Sequence, residues 1–219
     1  MTEKIRKTEA RGSFLAFEGI DGSGKTTQLA LLKARLEAEG FTALCTKEPT
    51  DGPVGRLLRQ VLTGEIELDE RAAVPLFAAD RLDHLLNPVD GLCAALERGC
   101  HVLTDRYYFS SYAYQTTTGV PMERVIDANA ECAALLRPTV TVFFDLDPEE
   151  ALRRIAARRG RTELFETRER LAAVRQNYLA AFERLRDVEN VRIVDAALPP
   201  NQVTEELWKT LKPYLEAPV

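Results

Sequence analysis

The sequence predicts an α/β protein built on a parallel sheet, on three observations. Five short apolar runs alternate with longer stretches of helical period. No internal repeat, low-complexity tract or Pro/Gly/Ser linker interrupts that alternation. The first run passes directly into Gly19-Ile20-Asp21-Gly22-Ser23-Gly24-Lys25-Thr26, a strand–glycine loop–helix junction. Taken in order, runs rich in Val, Ile, Leu and Phe fall at 13–18 (SFLAFE), 42–46 (TALCT), 101–104 (HVLT), 140–145 (VTVFFD) and 191–195 (VRIVD). Each is too short for a helix and reads as a buried strand. Helical patterns lie between and after them, at 25–39, 54–62, 72–98, 122–136, 149–158, 166–185 and 203–215, with Pro88 expected to break the third. Such alternation argues for a parallel sheet covered by helices on both faces. A charged tail over 1–12 precedes one domain over 13–219.

Composition narrows the function. The 219 residues are 45% apolar and 29% charged, near the globular average, which excludes disordered and collagen-like classes. Lys and Arg total 29 against 34 Asp and Glu, a net charge of -5, so the whole chain lacks the basic footprint of a nucleic-acid binder. Cys45, Cys93, Cys100 and Cys132 form no C-x-x-C pair and read as buried, reduced thiols. Six charges in the first twelve residues leave no apolar core for a signal peptide. No run approaches the ~18 apolar residues that would cross a membrane. A soluble cytoplasmic protein is expected.

The loop matches G-x-x-x-x-G-K-[ST], and its chemistry needs these residues. Glycines let backbone N–H groups turn inward around phosphate oxygens, and the helix that follows aims its dipole at the same anion. Gly19, Ile20, Asp21, Gly22, Ser23, Gly24, Lys25, Thr26 and Thr27 are therefore the candidate ATP-binding set. Lys25 can reach the β/γ-phosphates as a point charge and the Thr26 hydroxyl can ligate Mg²⁺. In the free loop Lys25 is expected to face solvent. No asparagine is followed by lysine, so the guanine-reading N-K-x-D is absent and ATP is the expected nucleotide.

Ligands bind beyond the carboxyl ends of parallel strands, where the second strand delivers Lys47-Glu48-Pro49 and the third Asp105-Arg106-Tyr107. Arg106 suits a bidentate phosphate grip, and Asp105 a metal-bound water. The plainer reading of Asp105-Arg106 is a surface ion pair contributing ~0–1 kcal/mol. Phe77, Arg81 and His84 stand at i, i+4 and i+7 and share a helical face that could stack on a base and read its edge. Spacing alone favours a core Phe with surface Arg and His beside it.

Glu18 to Gln28, Glu48-Pro49, Leu76-Phe77-Ala78-Ala79-Asp80-Arg81 with His84, and Asp105-Arg106-Tyr107 through Ser110-Ser111-Tyr112-Ala113-Tyr114-Gln115 occur in this order. At these spacings the chain resembles the thymidylate kinase (dTMP kinase) family from about residue 13 to 215. The resemblance implies the P-loop nucleoside monophosphate kinase fold, a five-stranded parallel sheet, a homodimer, and Mg²⁺-dependent transfer of the ATP γ-phosphoryl to dTMP. It also implies roles. Asp21 matches the acid that bonds the sugar 3′-hydroxyl, Phe77 the ring stacked on thymine, and Arg81 the donor to its O4. Arg106 matches the acceptor-phosphate grip, Asp105 the metal-water carboxylate, and Tyr114 the ring crowding the 2′ position. Glu48, Ser111 and Gln115 fall among the substrate-site positions. Three segments depart from the family: Thr50-Asp51-Gly52 follows Glu48-Pro49 where Gly-Gly is common, with Arg56 a possible second grip. Thr116-Thr117-Thr118-Gly119 replaces a glycine-arginine stretch, and Glu163-Leu164-Phe165-Glu166 lacks the Asp-Arg often found in the lid.

Residues 153–175 hold eight arginines and three glutamates, a local charge of +5 that leaves -10 for the remainder. A charge run is usually a solvated face. This one straddles Gly160 between two helical patterns, where a lid over about 153–166 would sit, and a lid arginine can stabilise the equatorial oxygens in phosphoryl transfer. The loop's variable positions hold no arginine, which resembles the bacterial type that carries its catalytic arginine in the lid. Arg154 and Arg158 share a face and are the candidates; Arg159 and Arg161 flank the hinge. Two rival readings are a P-loop kinase for another nucleotide or deoxynucleoside, and a non-enzymatic ATP switch using Asp145 as its metal carboxylate.

Overall fold

The computed structural model describes residues 11–159 and 167–216. Most of the tail expected over 1–12, residues 160–166 of the expected lid, and the side chains of Arg158 and Arg159 lie outside the described residues. Five strands, β1 (Phe14–Glu18), β2 (Ala43–Lys47), β3 (His101–Asp105), β4 (Val140–Asp145) and β5 (Val191–Asp195), form one parallel sheet in the order β2-β3-β1-β4-β5. Every residue of β1 is buried, as a central strand covered on both faces requires. The edge strands differ from the expectation of buried runs: β2 is only half-buried, and β5 exposes three of its five residues. An edge strand has a neighbour on one side only.

The helices are α1 (Lys25–Ala38), α2 (Pro53–Leu62), α3 (Glu70–Leu86), α4 (Leu92–Glu97), α5 (Tyr108–Thr116), α6 (Met122–Ala128), α7 (Ala130–Leu135), α8 (Pro148–Arg159), α9 (Arg168–Arg184) and α10 (Pro200–Glu216). The expected break at Pro88 separates α3 from α4. The pattern over 122–136 also divides, at Asn129, whose buried side chain turns back to the Val125 carbonyl. Helix α5 was not foreseen. Seven of its nine residues are buried, so it shows no polar face and little helical period. Of the cysteines expected in the interior only Cys132 is buried; Cys45, Cys93 and Cys100 are half-buried, and all four are free.

Topology sets the ligand edge. The chain leaves β1 towards the β2 side and leaves β3 towards β4 on the other side, so the crevice between the carboxyl ends of β1 and β3 is the topological switch point. The glycine loop follows β1 and Arg106 follows β3, and Phe17 pairs in register with Asp105.

Candidate active site

The glycine loop is built as its residue types demand. Ile20 is buried as an anchor, while Gly22 and Gly24 adopt φ of 80° and 90°, a region that side chains disfavour. Gly22 lies under α8, where a Cβ would stand 2.7 Å from the Ala151 carbonyl oxygen and 3.0 Å from Ile155. Lys25 departs from the expectation of a solvent-facing side chain: it is 6% exposed, and its Nζ donates to the carbonyls of Gly19 (2.9 Å) and Ile20 (3.2 Å) and to Ser23 Oγ (3.4 Å). Those carbonyls face inward, and a lysine folded back across the loop is the donor within reach. Burial, then the neighbouring Arg106 cation, lowers its pKa to about 8, against the pull of Asp105, Asp21 and Glu18.

Thr26 and Thr27 stand exposed in the first turn of α1, and the Thr26 hydroxyl donates to Asp105 Oδ2 at 2.9 Å. The residues expected to serve a metal thus meet as two hard oxygen donors. Among the described residues no cluster of three or more His, Cys, Asp or Glu side chains could hold a cation. A small divalent ion here would draw its other ligands from phosphates and water, which suits Mg²⁺.

Asp105 and Arg106 do not form the surface ion pair that the plainer reading allowed. Arg106 turns to the glycine loop: Nη2 meets Asp21 Oδ1 at 2.7 Å and the Tyr114 hydroxyl at 3.1 Å, and Nη1 reaches the Gly19 carbonyl at 3.3 Å and Ser110 Oγ at 3.0 Å. Its guanidinium also lies over the Tyr114 ring, 4.7 Å from the centroid. Tyr114 donates to the other Asp21 oxygen at 3.1 Å. Burial would raise the Asp21 carboxyl, but Arg106 and Lys25 with these hydrogen bonds outweigh it and hold its pKa below the ordinary value. Asp21, Arg106 and Tyr114 are therefore brought together.

The Phe77–Arg81–His84 face reverses the spacing-based preference. Phe77 is half-exposed, whereas Arg81 is 1% exposed. Arg81 donates through Nε to Glu48 Oε2 (2.7 Å), through Nη1 to Asn129 Oδ1, and through both Nη atoms to Ser111 Oγ (3.4 and 3.3 Å). His84 joins Glu48 Oε1 (3.0 Å) to Thr46 Oγ1 (2.8 Å). Burial opposes the Arg81 charge, but Glu48, together with Tyr107 and Cys132, outweighs it and the pKa is raised. Gln115 is buried nearby in sequence on α5, with both its amide atoms lacking a partner in the protein. A buried amide of that kind normally finds a ligand or water.

The departures from the family pattern have local explanations. Thr50 donates through N and Oγ1 to buried Asp80 (2.8 and 2.6 Å), so Asp80 pins the turn after the cis Glu48–Pro49 bond. Thr117 and Thr118 bond back to the carbonyls of Tyr114 and Gln115, closing the end of α5. Arg56 is exposed and bonds the Asp51 carbonyl. In the arginine-rich stretch, Arg153 and Arg154 pair with Glu150, and Arg154 also donates to the Ala196 carbonyl at 3.0 Å beyond β5. Arg175, counted with the lid charges, instead clamps Asp145 bidentately at 2.6 and 2.8 Å. That leaves Asp145 neutralised rather than poised as a metal carboxylate for a switch.

Sequence reasoning missed Asn129 and Tyr178. Tyr178 keeps helical period with Leu171, Val174, Ala181 and Phe182 and so reads as core. Asn129, a poor helix former inside an apolar pattern, was the available signal for a break.

Fold and site define a P-loop phosphotransferase of the nucleoside monophosphate kinase kind. A family model described as thymidylate kinase matches residues 17–207. A probable thymidylate kinase of Pyrococcus abyssi is 38% identical over 207 residues, covering 92% of this chain and 97% of that protein. One of Pyrococcus horikoshii is 40% identical over 191 residues, covering 85% and 89%. A thymidylate kinase of Xanthomonas euvesicatoria is 38% identical over 197 residues, covering 89% and 81%. The chain belongs to the thymidylate kinase family.

Proposed function

We infer that this chain transfers the γ-phosphoryl group of ATP to dTMP, giving dTDP and ADP, with Mg²⁺, as a cytoplasmic homodimer whose catalytic unit spans 13–219 with a lid over about 153–166. The observation that carries the reading is Arg106, which leaves β3 at the switch point and lies against both the glycine loop and Tyr114. An acceptor phosphate entering there competes with Asp21 for the guanidinium and frees a carboxylate oxygen for the sugar 3′-hydroxyl. Tyr114 crowds the 2′ side of the sugar and favours deoxyribose. Phe77 supplies the stacking ring and Arg81 donates to the base 4-carbonyl, with Glu48, Ser111 and Gln115 around it.

On the donor side Gly19, Ile20, Gly22, Ser23, Gly24 and Thr27 shape the cradle, and Lys25 swings its charge from loop carbonyls to phosphate. Thr26 and Asp105 would hold Mg²⁺, which neutralises phosphate charge when bound. Arg154 and Arg158, one turn apart on α8, are the candidates to meet the transferring group. Exposed Leu57 and Leu62 on α2 support a second copy as partner, and a net charge of -5 speaks against nucleic acid. No helix of the described residues is long and apolar enough to cross a membrane.

A coupled ADP-release assay with and without dTMP tests the reading. ADP formation that requires dTMP is expected. Preference for another nucleotide would assign a different acceptor, and dTMP-independent hydrolysis would point to a switch.

A further inference from the structure

The mechanism leaves Glu18 without a role, although this last residue of β1 is fully buried beside the glycine loop. We propose that Glu18 is a positioning residue that locks Arg106 into its left-handed backbone conformation and aims its guanidinium at the acceptor phosphate. This rests on the reading that Arg106 grips that phosphate.

Arg106 has φ of 75°, and among the described residues no other non-glycine takes a positive φ. That conformation is disfavoured for a residue that bears a side chain and persists only where the surroundings over-determine it. Here both peptide groups flanking Arg106 are fastened to consecutive residues of β1. The Arg106 N–H donates to the Phe17 carbonyl at 2.9 Å, and the Tyr107 N–H donates to Glu18 Oε1 at 2.8 Å. The side chain is fastened through the same carboxylate. Ser110 Oγ and the Tyr178 hydroxyl meet Glu18 Oε2 at 2.6 and 2.9 Å, and both also meet Arg106 Nη1, at 3.0 and 3.4 Å.

Direction matters in this cluster. Burial raises the Glu18 pKa, opposed by Ser110, the Arg106 charge, Tyr107 and Tyr178. As the carboxylate that the Tyr107 and Ser110 N–H groups and the two hydroxyls face, Glu18 only accepts, so it draws the hydroxyl protons towards itself and turns oxygen lone pairs to the guanidinium. A glutamine would offer N–H donors to those hydroxyls, whose protons would then point at Arg106.

The test is a double-mutant cycle in the full chain, read as KM for dTMP and for ATP with thermal midpoints alongside. Glu18→Gln is expected to raise KM for dTMP about tenfold, the scale of one charge-assisted hydrogen bond, and to leave KM for ATP within about twofold. Arg106→Gly removes the guanidinium and takes the positive φ without strain; in that background Glu18→Gln should change KM for dTMP by less than about twofold. Tyr178→Phe, which keeps the packing, should raise KM for dTMP about threefold and lose that effect in the same background. If Glu18→Gln does not fold, the Tyr178→Phe cycle decides by the same criterion. The proposal is overturned if the penalty persists undiminished without Arg106, if both KM values rise together with a lower midpoint, or if dTMP is unaffected. An Arg106→Gly variant with unchanged KM for dTMP would instead sink the phosphate-grip reading beneath it.

Discussion

Lys25 carries two demands that pull in opposite directions. Free of nucleotide, its ammonium is held by carbonyls in a buried loop, and burial lowers its pKa to about 8. The folded state therefore binds fewer protons here than the unfolded chain between about pH 8 and 10.5, so this group's stability cost, present below pH 8, fades as pH rises through that window. Relative to Lys25→Met, the wild type should gain up to about 3 kcal/mol of unfolding free energy across it, measured by denaturant titration at each pH. A flat difference would mean the ammonium is not buried as described. In turnover, Lys25→Met should lose ~2.7–4 kcal/mol of transition-state stabilisation, about 10²–10³ in kcat. Arg81 poses another problem, because truncating it strands buried Glu48 at about 3–5 kcal/mol. Its role is better read on the wild type by changing the base. Arginine has donors only, so kcat/KM should fall from dTMP to dUMP by the ~1–3 kcal/mol of one methyl, and to dCMP by as much as ~10⁴–10⁵-fold. The Ser111 contacts, at 3.3 and 3.4 Å, are the weak pair a base carbonyl would displace. Comparable rates for dCMP and dTMP would refute an Arg81 reading of the 4-position.

At the scale of elements, the loop and α8 act as one unit because Gly22 has no room for a methyl group beneath Ala151. Gly22→Ala must strain φ at 80° and push α8 outward. A midpoint lowered by about 2–8 °C is expected from the backbone strain alone. The displaced α8 should also depress kcat more than KM for dTMP. An unchanged kcat would detach α8, and Arg154 with it, from catalysis. This coupling was invisible in the sequence, where Gly22 is one loop glycine among several and Ala151 an ordinary helix residue. Strands and the loop were legible because each is local: an apolar run bounded by breakers, and a motif with fixed spacing. β3 and β4 were recognised to within a residue for that reason. Helix α5 was not, because burial on nearly all sides erases helical period and its aromatic residues have middling propensity. The site residues in motifs were found, but their pairings were not. Nothing local says that Arg81 lies under Glu48 and Asn129, or that Asp105 turns to Thr26 rather than to its neighbour Arg106.

The whole molecule concentrates its chemistry on one rim of the sheet and leaves apolar side chains exposed elsewhere. Leu57 and Leu62 of α2, with Leu68 before α3, give a second copy something to cover. Sedimentation should yield about twice the 24.5 kDa chain mass, and Leu57→Asp with Leu62→Asp should halve it. A monomeric wild type would remove the homodimer. The fastening of Tyr107 and Ser110 to Glu18 has a further, kinetic consequence. Helix α5 has no capping side chain of its own at Tyr107; the N–H of that cap residue and the N–H of Ser110 in the first turn are taken by a carboxylate on the central strand. Helix starts usually fray and trade their amide hydrogens with solvent quickly. In heavy water these two amides should instead retain hydrogen as long as those of β1, so that the mouth of the acceptor site opens only when the middle of the sheet does.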